Sequence, residues 1–397
     1  MKKLIAATAV AALMTAPALA QDDGIPVGII LGFTGPLESI MPNMGNAAEL
    51  AFTEASESGQ LLGGRTIEAI RADSTCIDAA AATAAAERLI TSDEVVALMG
   101  PDCSGVTTAV VNNVSVPNGV PTVSPSATSP ALSTIEDQGL FFRTAPSDAR
   151  QGQVIAELLD ERGVDEVAVT YTNNDYGKGL ADSFASAFEA LGGSVLISAA
   201  HEDGRADYSA EVGALSASGA DMLAVFGYAD GGGRGIVQAS LDTGAFDQFV
   251  FGDGMFGESI IEAIGSELDG RVIGAVPGTD NDGAQAFADM TSGTSVDSTG
   301  TYAGESYDAA ALIVLAMQAA GDATRAGIAE QMMNVANAPG EQIGPGEIGR
   351  ALEIIAGGGD VDYVGATGIE LIGPGEAAGS YRIFEIDNGE IVTLGFR

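Results

Sequence analysis

Apolar runs of the length of buried strands alternate along most of the chain with segments whose apolar residues recur at helical spacing. The first strand is predicted over residues 25–33 and the first helix over residues 44–57, where Leu50 and Ala55 fall on the same face. The alternation continues as far as a strand at residues 249–251. Strands that alternate with helices in this way predict right-handed βαβ units and mostly parallel sheets.

The last third of the chain departs from this order. After a strand at residues 272–276, the pattern predicts mainly helices, and then two strands at residues 380–386 and 390–396 that are joined by an Asp-Asn-Gly turn. Two strands are too few to form a domain, so they must complete a sheet that begins earlier. Because 397 residues exceed what one hydrophobic core normally organises, we predict an α/β fold with two Rossmann-like lobes assembled from discontinuous segments.

The start of the chain has the features of a secretory signal peptide. Lys2 and Lys3 precede an apolar stretch at residues 4–14, which is too short to span a bilayer, and an Ala-Leu-Ala cleavage site ends at residue 20. We therefore predict a signal peptide at residues 1–20 and export of the mature chain to a bacterial periplasm. The sequence has no cysteine near the cleavage site, and no later apolar run reaches the ~18 residues of a transmembrane helix.

Charge narrows the range of partners. The formal charge is -39, and subtracting the two leader lysines gives -39 - 2 = -41 for the mature chain. Such a surface repels nucleic-acid phosphates and anionic lipid headgroups, so neither is an expected partner. The acidic residues are spread along the sequence without a clustered run. This distribution favours solvation in a salty habitat over the steering of cations.

The two cysteines, Cys76 and Cys103, each follow a predicted strand, at residues 66–72 and 95–99. An even cysteine count in an oxidising compartment is typical of a disulfide, and adjacent parallel strands would bring the two loops side by side. The competing interpretation is a metal site. A single histidine and the lack of a CxxC motif in the sequence argue against a metal, so we predict a Cys76–Cys103 disulfide and no metal.

Hydroxyl-rich loops follow two of the predicted strands. The sequence GPDCSG at residues 100–105 contains Ser104, and SPSAT at residues 124–128 contains Ser126 and Thr128. In open α/β sheets, small ligands bind in loops at the carboxyl ends of strands. Hydroxyl and amide donors with no neighbouring Lys or Arg suit a small carboxylate, so these loops favour a solute-binding protein over an enzyme.

Sequence motifs for catalysis are scarce. The only histidine, His201, falls in a polar run between a predicted strand and a predicted helix, where we expect a solvated loop residue rather than a general base. The sequence contains no GxSxG, HExxH or Walker motif. Residues 252–257 match GxGxxG, but Asp253 among the phosphate-facing amides would repel a dinucleotide. We therefore predict a protein that is not an enzyme and uses no cofactor, with a secreted hydrolase as the alternative class.

Several motifs occur together in an order that is specific to one family. They are the cysteine pair, Cys103-Ser104, SPSAT at residues 124–128, NDYGKG at residues 174–179, and the loops of Tyr228 and Asp253. With these motifs the chain resembles the periplasmic leucine/isoleucine/valine-binding protein family, the type I periplasmic binding proteins of branched-chain amino acid ABC importers. The resemblance spans essentially the whole mature chain.

The resemblance implies two lobes joined by a three-crossover hinge, with the ligand cleft between them. It places residues 24–145 and 278–360 in lobe 1 and residues 146–277 and 361–397 in lobe 2. The implied function is that of a periplasmic substrate-binding component, which captures a small amino acid, branched-chain or otherwise neutral, by lobe closure. The implied partners are that amino acid and an ABC permease with its ATPase. We expect a monomer.

The resemblance also implies roles for individual residues. Ser104 and Thr128 would donate to the ligand carboxylate, while the Ser126 carbonyl would accept from the ligand ammonium. Asp253 would be the countercharge of that ammonium. The full set of implied ligand-binding residues is Ser104, Ser126, Ala127, Thr128, Tyr176, Tyr228, Asp253 and Tyr302. Two alternatives stay open: Ser104 and Thr128 as helix caps, and Asp253 as a turn residue without a ligand.

The identity of the ligand is less well defined by the sequence. Ile40 stands where the best-known leucine binders have an aromatic residue, and Glu38 lies on the same loop. An inward Glu38 would favour a polar or cationic ligand side chain, but we expect Glu38 to be exposed. The alternatives to an amino acid are an amide, urea or a betaine-like solute. A sensor domain of the same fold is a further alternative.

Overall fold

The structure is a computed structural model that describes residues 24–397, and the predicted signal peptide lies outside these residues. Within the described residues, the strands form two seven-stranded sheets and one two-stranded sheet. Helices separate most consecutive strands, and most strand pairs are parallel. The predicted α/β fold with two lobes of mostly parallel sheet is confirmed.

The strands are, in chain order, β1 Ile25–Leu31, β2 Ile67–Asp73, β3 Leu98–Met99, β4 Thr122–Ser124, β5 Phe141–Pro146, β6 Glu166–Thr172, β7 Ser194–His201, β8 Met222–Phe226, β9 Phe249–Phe251, β10 Val272–Pro277, β11 Glu341–Ile343, β12 Val361–Tyr363, β13 Leu371–Ile372, β14 Glu376–Ala377, β15 Tyr381–Asp387 and β16 Glu390–Phe396. The first sheet has the order β13-β14-β5-β4-β3-β1-β2, and the second has the order β16-β15-β10-β9-β8-β6-β7. Strands β11 and β12 pair with each other.

The helices are α1 Met41–Glu57, α2 Ala79–Thr91, α3 Ser104–Val110, α4 Val116–Asn118, α5 Asp148–Glu161, α6 Asp175–Ala190, α7 Ser209–Ser216, α8 Gly232–Thr243, α9 Glu258–Ile264, α10 Asp282–Thr291, α11 Ala303–Ala320, α12 Arg325–Val335 and α13 Ile348–Ala356. Helix α11 is buried along almost its whole length. It packs against α1 and α12 and against the strands β3, β4 and β5. The first lobe is therefore built around α11 and the first sheet.

Local sequence explains where several elements begin and turn. Helix α1 begins at Met41 rather than at residue 44, because Pro42 is tolerated in the first turn, where its missing amide is not needed. In the hairpin of β15 and β16, Asn388 and Gly389 both adopt positive φ angles, of 53° and 74°. A two-residue type I′ turn requires this conformation, and Asn-Gly is a favoured sequence for it.

The chain crosses between the two sheets three times: from β5 to α5, from β10 to α10, and from β14 to β15. Hydrogen bonds join these crossings to one another. The Gly278 amide donates to the Ser380 carbonyl at 3.0 Å, and the Ser380 hydroxyl donates back to the Gly278 carbonyl at 2.8 Å. The Tyr381 hydroxyl donates to the Ser147 carbonyl at 3.1 Å. The three crossings thus form one hinge.

One stretch of the predicted lobe limits is wrong. Strand β14 pairs with β5 and β13 pairs with β14, so both belong to the first sheet, whereas the resemblance placed residues 361–397 together in the second lobe. The chain passes to the second sheet only between Ala377 and Tyr381. Strands of two residues carry no readable periodicity, which explains why the sequence pattern did not reveal them. The other predicted lobe limits stay predictions.

His201 is not the solvated loop residue that the sequence predicted. It is the last residue of β7 and is buried, with Nδ1 lying 2.9 Å from the Thr170 hydroxyl. Burial lowers the pKa of His201, so the imidazole is neutral at pH 7. The ring also packs edge-on against Tyr208. These contacts give it a structural place inside the second lobe.

The predicted disulfide between Cys76 and Cys103 is present. The two cysteines lie in the loops after β2 and β3. The sequence analysis expected these strands to be adjacent, but β1 lies between them. The bridge therefore spans the carboxyl end of β1 and ties three strands of the first lobe together. None of the described helices combines the length and apolarity needed to cross a membrane.

Candidate ligand-binding cleft

A small cavity lies between the two lobes, next to the carboxyl ends of β3, β4, β6, β8 and β9. It is lined by Leu37, Ile40, Met41, Asp102, Cys103, Ser104, Ser126, Tyr176, Tyr228, Asp253, Gly254 and Tyr302. Its volume is about 20 Å³, roughly what one ordered water needs. The described residues that line it include no Lys, Arg or His, so neutral groups and carboxylates determine its chemistry.

The first-lobe wall of the cavity offers neutral hydrogen-bonding groups. Ser104 Oγ accepts from the Ser129 amide at 3.1 Å, which leaves the hydroxyl hydrogen free to donate. Among the described residues, the Thr128 amide finds no acceptor and the Ser126 carbonyl finds no donor. Neither Ser104 nor Thr128 caps a helix: α3 has Cys103 at its N-cap without a side-chain bond, and the Thr128 hydroxyl has no partner within residues 24–397.

A buried arginine fixes the backbone of this wall. Arg143 lies in β5 and donates through Nη1 to the carbonyls of Ala127 and Ser129, at 3.0 and 2.9 Å. Its Nη2 pairs with Glu376 of β14. Because two carbonyls flanking Thr128 are held by one guanidinium, the loop between them has a defined conformation. An arginine within an apolar strand needs buried partners, and this signal could have identified it from the sequence.

The second-lobe wall carries a buried carboxylate. Asp253 begins a single turn of 3₁₀ helix directly after β9, and its Oδ1 accepts from the Tyr176 hydroxyl at 2.9 Å. The Gly254 amide in turn donates to the Tyr176 oxygen at 3.0 Å. A Cβ at Gly254 would lie 2.4 Å from the Gly227 carbonyl oxygen, so only glycine allows this close approach. Gly254 of the GxGxxG sequence therefore permits the tight turn that carries the Asp253 carboxylate.

Tyr302 reaches across the cleft from the first lobe. Its hydroxyl donates to Asp253 Oδ2 at 2.6 Å, so both carboxylate oxygens of Asp253 accept from phenols. Tyr302 has a φ of 58°, a left-handed conformation that is costly for a bulky residue. Burial raises the pKa of Asp253, while the hydrogen bonds from Tyr302 and Tyr176 favour its ionised form. Each oxygen keeps capacity to accept one further donor.

The aromatic part of the second-lobe wall is a stacked pair. The rings of Tyr176 and Tyr228 lie 5.4 Å apart between centroids, with 19° between their planes. The Tyr228 hydroxyl oxygen accepts from Asn174 Nδ2 at 3.0 Å, and Asn174 also caps α6. The NDYGKG segment thus places Tyr176 in the first turn of that helix and orients Tyr228 beside it.

Six of the eight residues that the sequence indicated have atoms on the cavity wall: Ser104, Ser126, Tyr176, Tyr228, Asp253 and Tyr302. Ala127 and Thr128 do not line it; both are buried within the loop that Arg143 holds. Ile40 does line the cavity, whereas Glu38 is exposed, as expected. Sequence reasoning missed Leu37 and Met41, whose positions carry no motif, and Asp102, which lies within GPDCSG but was not singled out.

Asp102 is a second buried acid at the first-lobe wall. Its Oδ1 accepts from the Ser74 hydroxyl at 2.6 Å, and a Cβ at Gly32 would lie 2.9 Å from its Oδ2. The carboxylate is thus directed toward the disulfide loop. Burial raises its pKa, and hydrogen bonds from Ser74 and from nearby backbone amides act the other way. Asp102 holds the loops after β1, β2 and β3 together.

A larger cavity of about 900 Å³ adjoins the first and shares Ile40 and Tyr302 with it. Acidic residues and Arg382 are spread around it, and the hinge residues Val276 to Asn281 form one side. We place the solute site in the smaller cavity despite its size. Ser104 and Ser126 of the first lobe and Asp253 of the second lobe line the smaller cavity and not the larger one.

Comparison with known proteins agrees with this architecture. Residues 24–351 match the family described as periplasmic binding protein. The chain belongs to this family. The chemotactic signal transduction system substrate-binding protein BasB of Halobacterium salinarum is 28% identical over 383 residues, which cover 93% of this chain and 88% of BasB. The Leu/Ile/Val-binding protein BraC3 of Rhizobium johnstonii is 31% identical over 274 residues, 68% of this chain and 72% of BraC3.

Solved structures show the same fold. The branched-chain amino acid transporter substrate-binding protein LivJ of Streptococcus pneumoniae, in complex with isoleucine, has a TM-score of 0.76 at 23% identity, covering 94% of this chain and 99% of LivJ. An ABC transporter solute-binding protein of R. palustris, in complex with benzoate, has a TM-score of 0.73 at 20% identity, covering 94% of this chain and 96% of that protein.

These matches confirm the resemblance to type I periplasmic binding proteins of the branched-chain amino acid group. They make this chain a solute-binding protein of the ABC transporter type, and the relatives described above are binding proteins rather than enzymes. The family also implies a periplasmic or extracellular location.

Proposed function

We propose that this periplasmic binding protein captures a small amino acid with a neutral side chain, branched-chain amino acids included, and delivers it to a membrane permease with its ATPase. The proposal places the protein in the periplasm as a monomer. The Leu/Ile/Val-binding relatives and the isoleucine complex of LivJ support this solute class.

One observation carries the proposal: the Ser104 hydroxyl of the first lobe, with its hydrogen free to donate, lines the same small cavity as the buried Asp253 carboxylate of the second lobe. The Ser104 hydroxyl and the Thr128 amide suit the carboxylate of a zwitterion, and Asp253 suits its ammonium. Because no Lys, Arg or His of the described chain lines the cavity, a dicarboxylate would lack a countercharge. Tyr176, Tyr228 and the other implied residues would enclose the side chain.

Binding requires the lobes to separate first. The cavity of about 20 Å³ is too small for an amino acid, and direct hydrogen bonds cross the cleft. The Ser39 amide donates to Asp230 Oδ2 at 3.1 Å, and the Thr108 hydroxyl donates to Asp175 Oδ2 at 3.1 Å. A ligand that contacts both lobes binds fully only in the closed form, so it shifts the population toward closure.

A betaine is the second candidate, because three tyrosines surround the carboxylate. Tyr176, Tyr228 and Tyr302 all line the cavity that Asp253 faces, and aromatic rings around an acid are typical of quaternary ammonium recognition. A betaine would still use the neutral donors for its carboxylate. The two candidates differ in whether the cation must donate hydrogen bonds to Asp253.

A thermal-shift screen of the mature chain tests the proposal, with neutral amino acids, their deaminated analogues, betaines, urea, short amides and benzoate as probes. A ligand at 100 times its Kd adds about 2.7 kcal/mol of stability, so a true ligand raises Tm by several degrees. We expect leucine, isoleucine or another neutral amino acid to do so and the deaminated analogue to fail. A shift with betaine alone would favour the second candidate, and a shift with benzoate alone would contradict both.

A further inference from the structure

A fully buried carboxyl group near Asp253 accepts no hydrogen bond from any described residue. Asp148 is the first residue of α5, at the crossing from β5 into the second lobe. Among the described residues, neither Oδ1 nor Oδ2 of Asp148 accepts a hydrogen bond. The helix cap is supplied by Ser147 instead, whose hydroxyl accepts from the Ala149 amide. An ionised carboxylate in this position would lose its hydration without compensation.

The groups around Asp148 have too few hydrogens for the acceptors present. Gln151 lies one helical turn further along α5, on the same face. Its Nε2 donates to the Ala275 carbonyl at 2.8 Å, and its Oε1 has no donor among the described residues. Thr128, which contacts Asp148, is also unpartnered at Oγ1. The Thr128 hydroxyl can supply one hydrogen to Asp148, which leaves the second Asp148 oxygen and Gln151 Oε1 without a donor.

The charged and titratable neighbours do not supply the missing hydrogen. Arg143 is the cation in reach: its Nη atoms are committed to Glu376, Ser133 and two backbone carbonyls, and its Nε makes no hydrogen bond to Asp148 or to any other described residue. The phenols that face Asp148 are engaged elsewhere: Tyr176 and Tyr302 donate to Asp253, and Tyr381 donates to the Ser147 carbonyl. Asp253 itself is a like charge.

We propose that Asp148 is held as a neutral carboxylic acid at pH 7, with its own proton as the missing donor to Gln151 Oε1, and that this keeps Asp253 as the charge presented to the ligand. One added proton pairs Asp148 with Gln151, and the Thr128 hydroxyl then donates to the remaining Asp148 oxygen. Burial and, after it, the charge of Asp253 raise the pKa of Asp148 well above its usual range, which agrees with this geometry.

The functional role of this proton rests on the proposed amino-acid site. Thr128 contributes the unpaired amide that we assign to the ligand carboxylate, and Asp148 contacts the same residue. An ionised Asp148 would repel that carboxylate at close range, whereas a neutral acid does not. Asp148 therefore acts as a positioning residue behind the first-lobe wall, although it belongs to the second lobe.

Infrared difference spectroscopy tests the protonation directly, whatever the ligand is. The spectrum of Asp148→Asn is subtracted from that of the unchanged protein at pH 7. We expect the loss of one protonated carboxylic acid C=O band. Asp182→Asn is the matched control, because Asp182 is an exposed acid of α6 paired with Lys178, and its difference spectrum should show only the loss of ionised carboxylate bands. Loss of ionised bands in Asp148→Asn would overturn the proposal.

The pH dependence of unfolding gives a second, independent readout. If native Asp148 keeps its proton while the unfolded chain releases it, the unfolding equilibrium constant of the unchanged protein rises by up to about tenfold per pH unit between pH 5 and 7 from this group. Asp148→Asn should remove that part of the slope, and an unchanged slope would contradict the proposal. Asp148→Ser, smaller and also neutral, serves for both measurements if the Asn variant does not fold. Failure of the amino-acid screen leaves these outcomes unaffected.

Discussion

The two walls of the cavity differ in chemistry and in how they are held. The first-lobe wall offers neutral hydroxyl donors beside the buried acid Asp102, and its loops are fixed by the Cys76–Cys103 disulfide and by the bonds of Arg143 to backbone carbonyls. The second-lobe wall carries Asp253 and stacked phenols. A zwitterion needs both kinds of group, one for each of its ends. Under the proposed function neither lobe alone satisfies such a ligand, so we expect recognition and lobe closure to occur together.

The largest expected effect comes from removing the Cys76–Cys103 disulfide that stabilises the first-lobe wall. Cys76→Ser removes the disulfide that spans the end of β1, and loss of such a bridge costs about 2–5 kcal/mol of unfolding free energy. Chemical denaturation of the unchanged protein and of Cys76→Ser measures the difference. In the unchanged protein, titration of free thiols under denaturing, non-reducing conditions should find essentially none. Two titratable thiols, or a variant of unchanged stability, would show that the wall does not depend on the bridge.

The second-lobe wall is tested by removing its charge. Asp253→Asn keeps the shape of the side chain, and a hydrogen bond to a charged group is worth roughly 1.5–3 kcal/mol. We therefore expect affinity for the amino acid to fall by about 10-fold to 200-fold. Ser104→Ala is the comparison variant. Calorimetry measures the Kd of each variant for the amino acid and for its deaminated analogue.

The two variants should separate the two ends of the ligand. Ser104→Ala weakens the carboxylate contact and so should affect both ligands alike, whereas Asp253→Asn should affect only the ligand that has an ammonium. If Asp253→Asn binds the amino acid as tightly as the unchanged protein, the charge division between the walls is not what selects the ligand.

The sequence predicted the two walls unequally well. Strands of five or more apolar residues, the hairpin turn and the motif loops were readable because periodicity and turn chemistry are local. The cavity residues of those loops, such as Ser104 and Asp253, follow from the same motifs. The pairing of Arg143 with Glu376, and with it strand β14, was not predicted because the two residues lie 233 positions apart in the chain. Strand β13 was missed because a strand of two residues has no readable periodicity. Asp148 reads as an ordinary first-turn acid of a helix, and its burial comes only from tertiary packing.

Glu305 allows a test of whether a buried acid of the first lobe is protonated and therefore uncharged. This buried residue lies in the first turn of α11, three positions after Tyr302, and burial raises its pKa to about 8. The native chain therefore binds more protons than the unfolded chain between about pH 4.5 and pH 8, so stability falls as pH rises through this window. Glu305→Gln should reduce that fall by about 1 kcal/mol per pH unit. Urea denaturation at pH 6 and pH 7 measures the unfolding free energy of both proteins. An equal fall with pH in the unchanged protein and in Glu305→Gln would mean that Glu305 does not hold the proton.

The smallest expected effect concerns a contact that joins the two lobes outside the cavity. Asp230 of the second lobe accepts from the Ser39 amide of the first, and its own amide donates to the Pro36 carbonyl. Asp230→Ala removes the side-chain bond, which is worth about 0.5–1.5 kcal/mol, and the backbone bond stays. Because this bond exists only when the lobes are together, the loss should appear as a Kd higher by about 2-fold to 12-fold, with little change in unfolding free energy of the ligand-free protein.

Asp230→Asn, which keeps an oxygen acceptor, is the matched control and should bind nearly as the unchanged protein does. Small-angle scattering at a ligand concentration near the Kd of the unchanged protein should show a larger radius of gyration for Asp230→Ala than for Asp230→Asn. Equal affinity and equal size in both variants would mean that the contacts around Asp253 alone close the cleft.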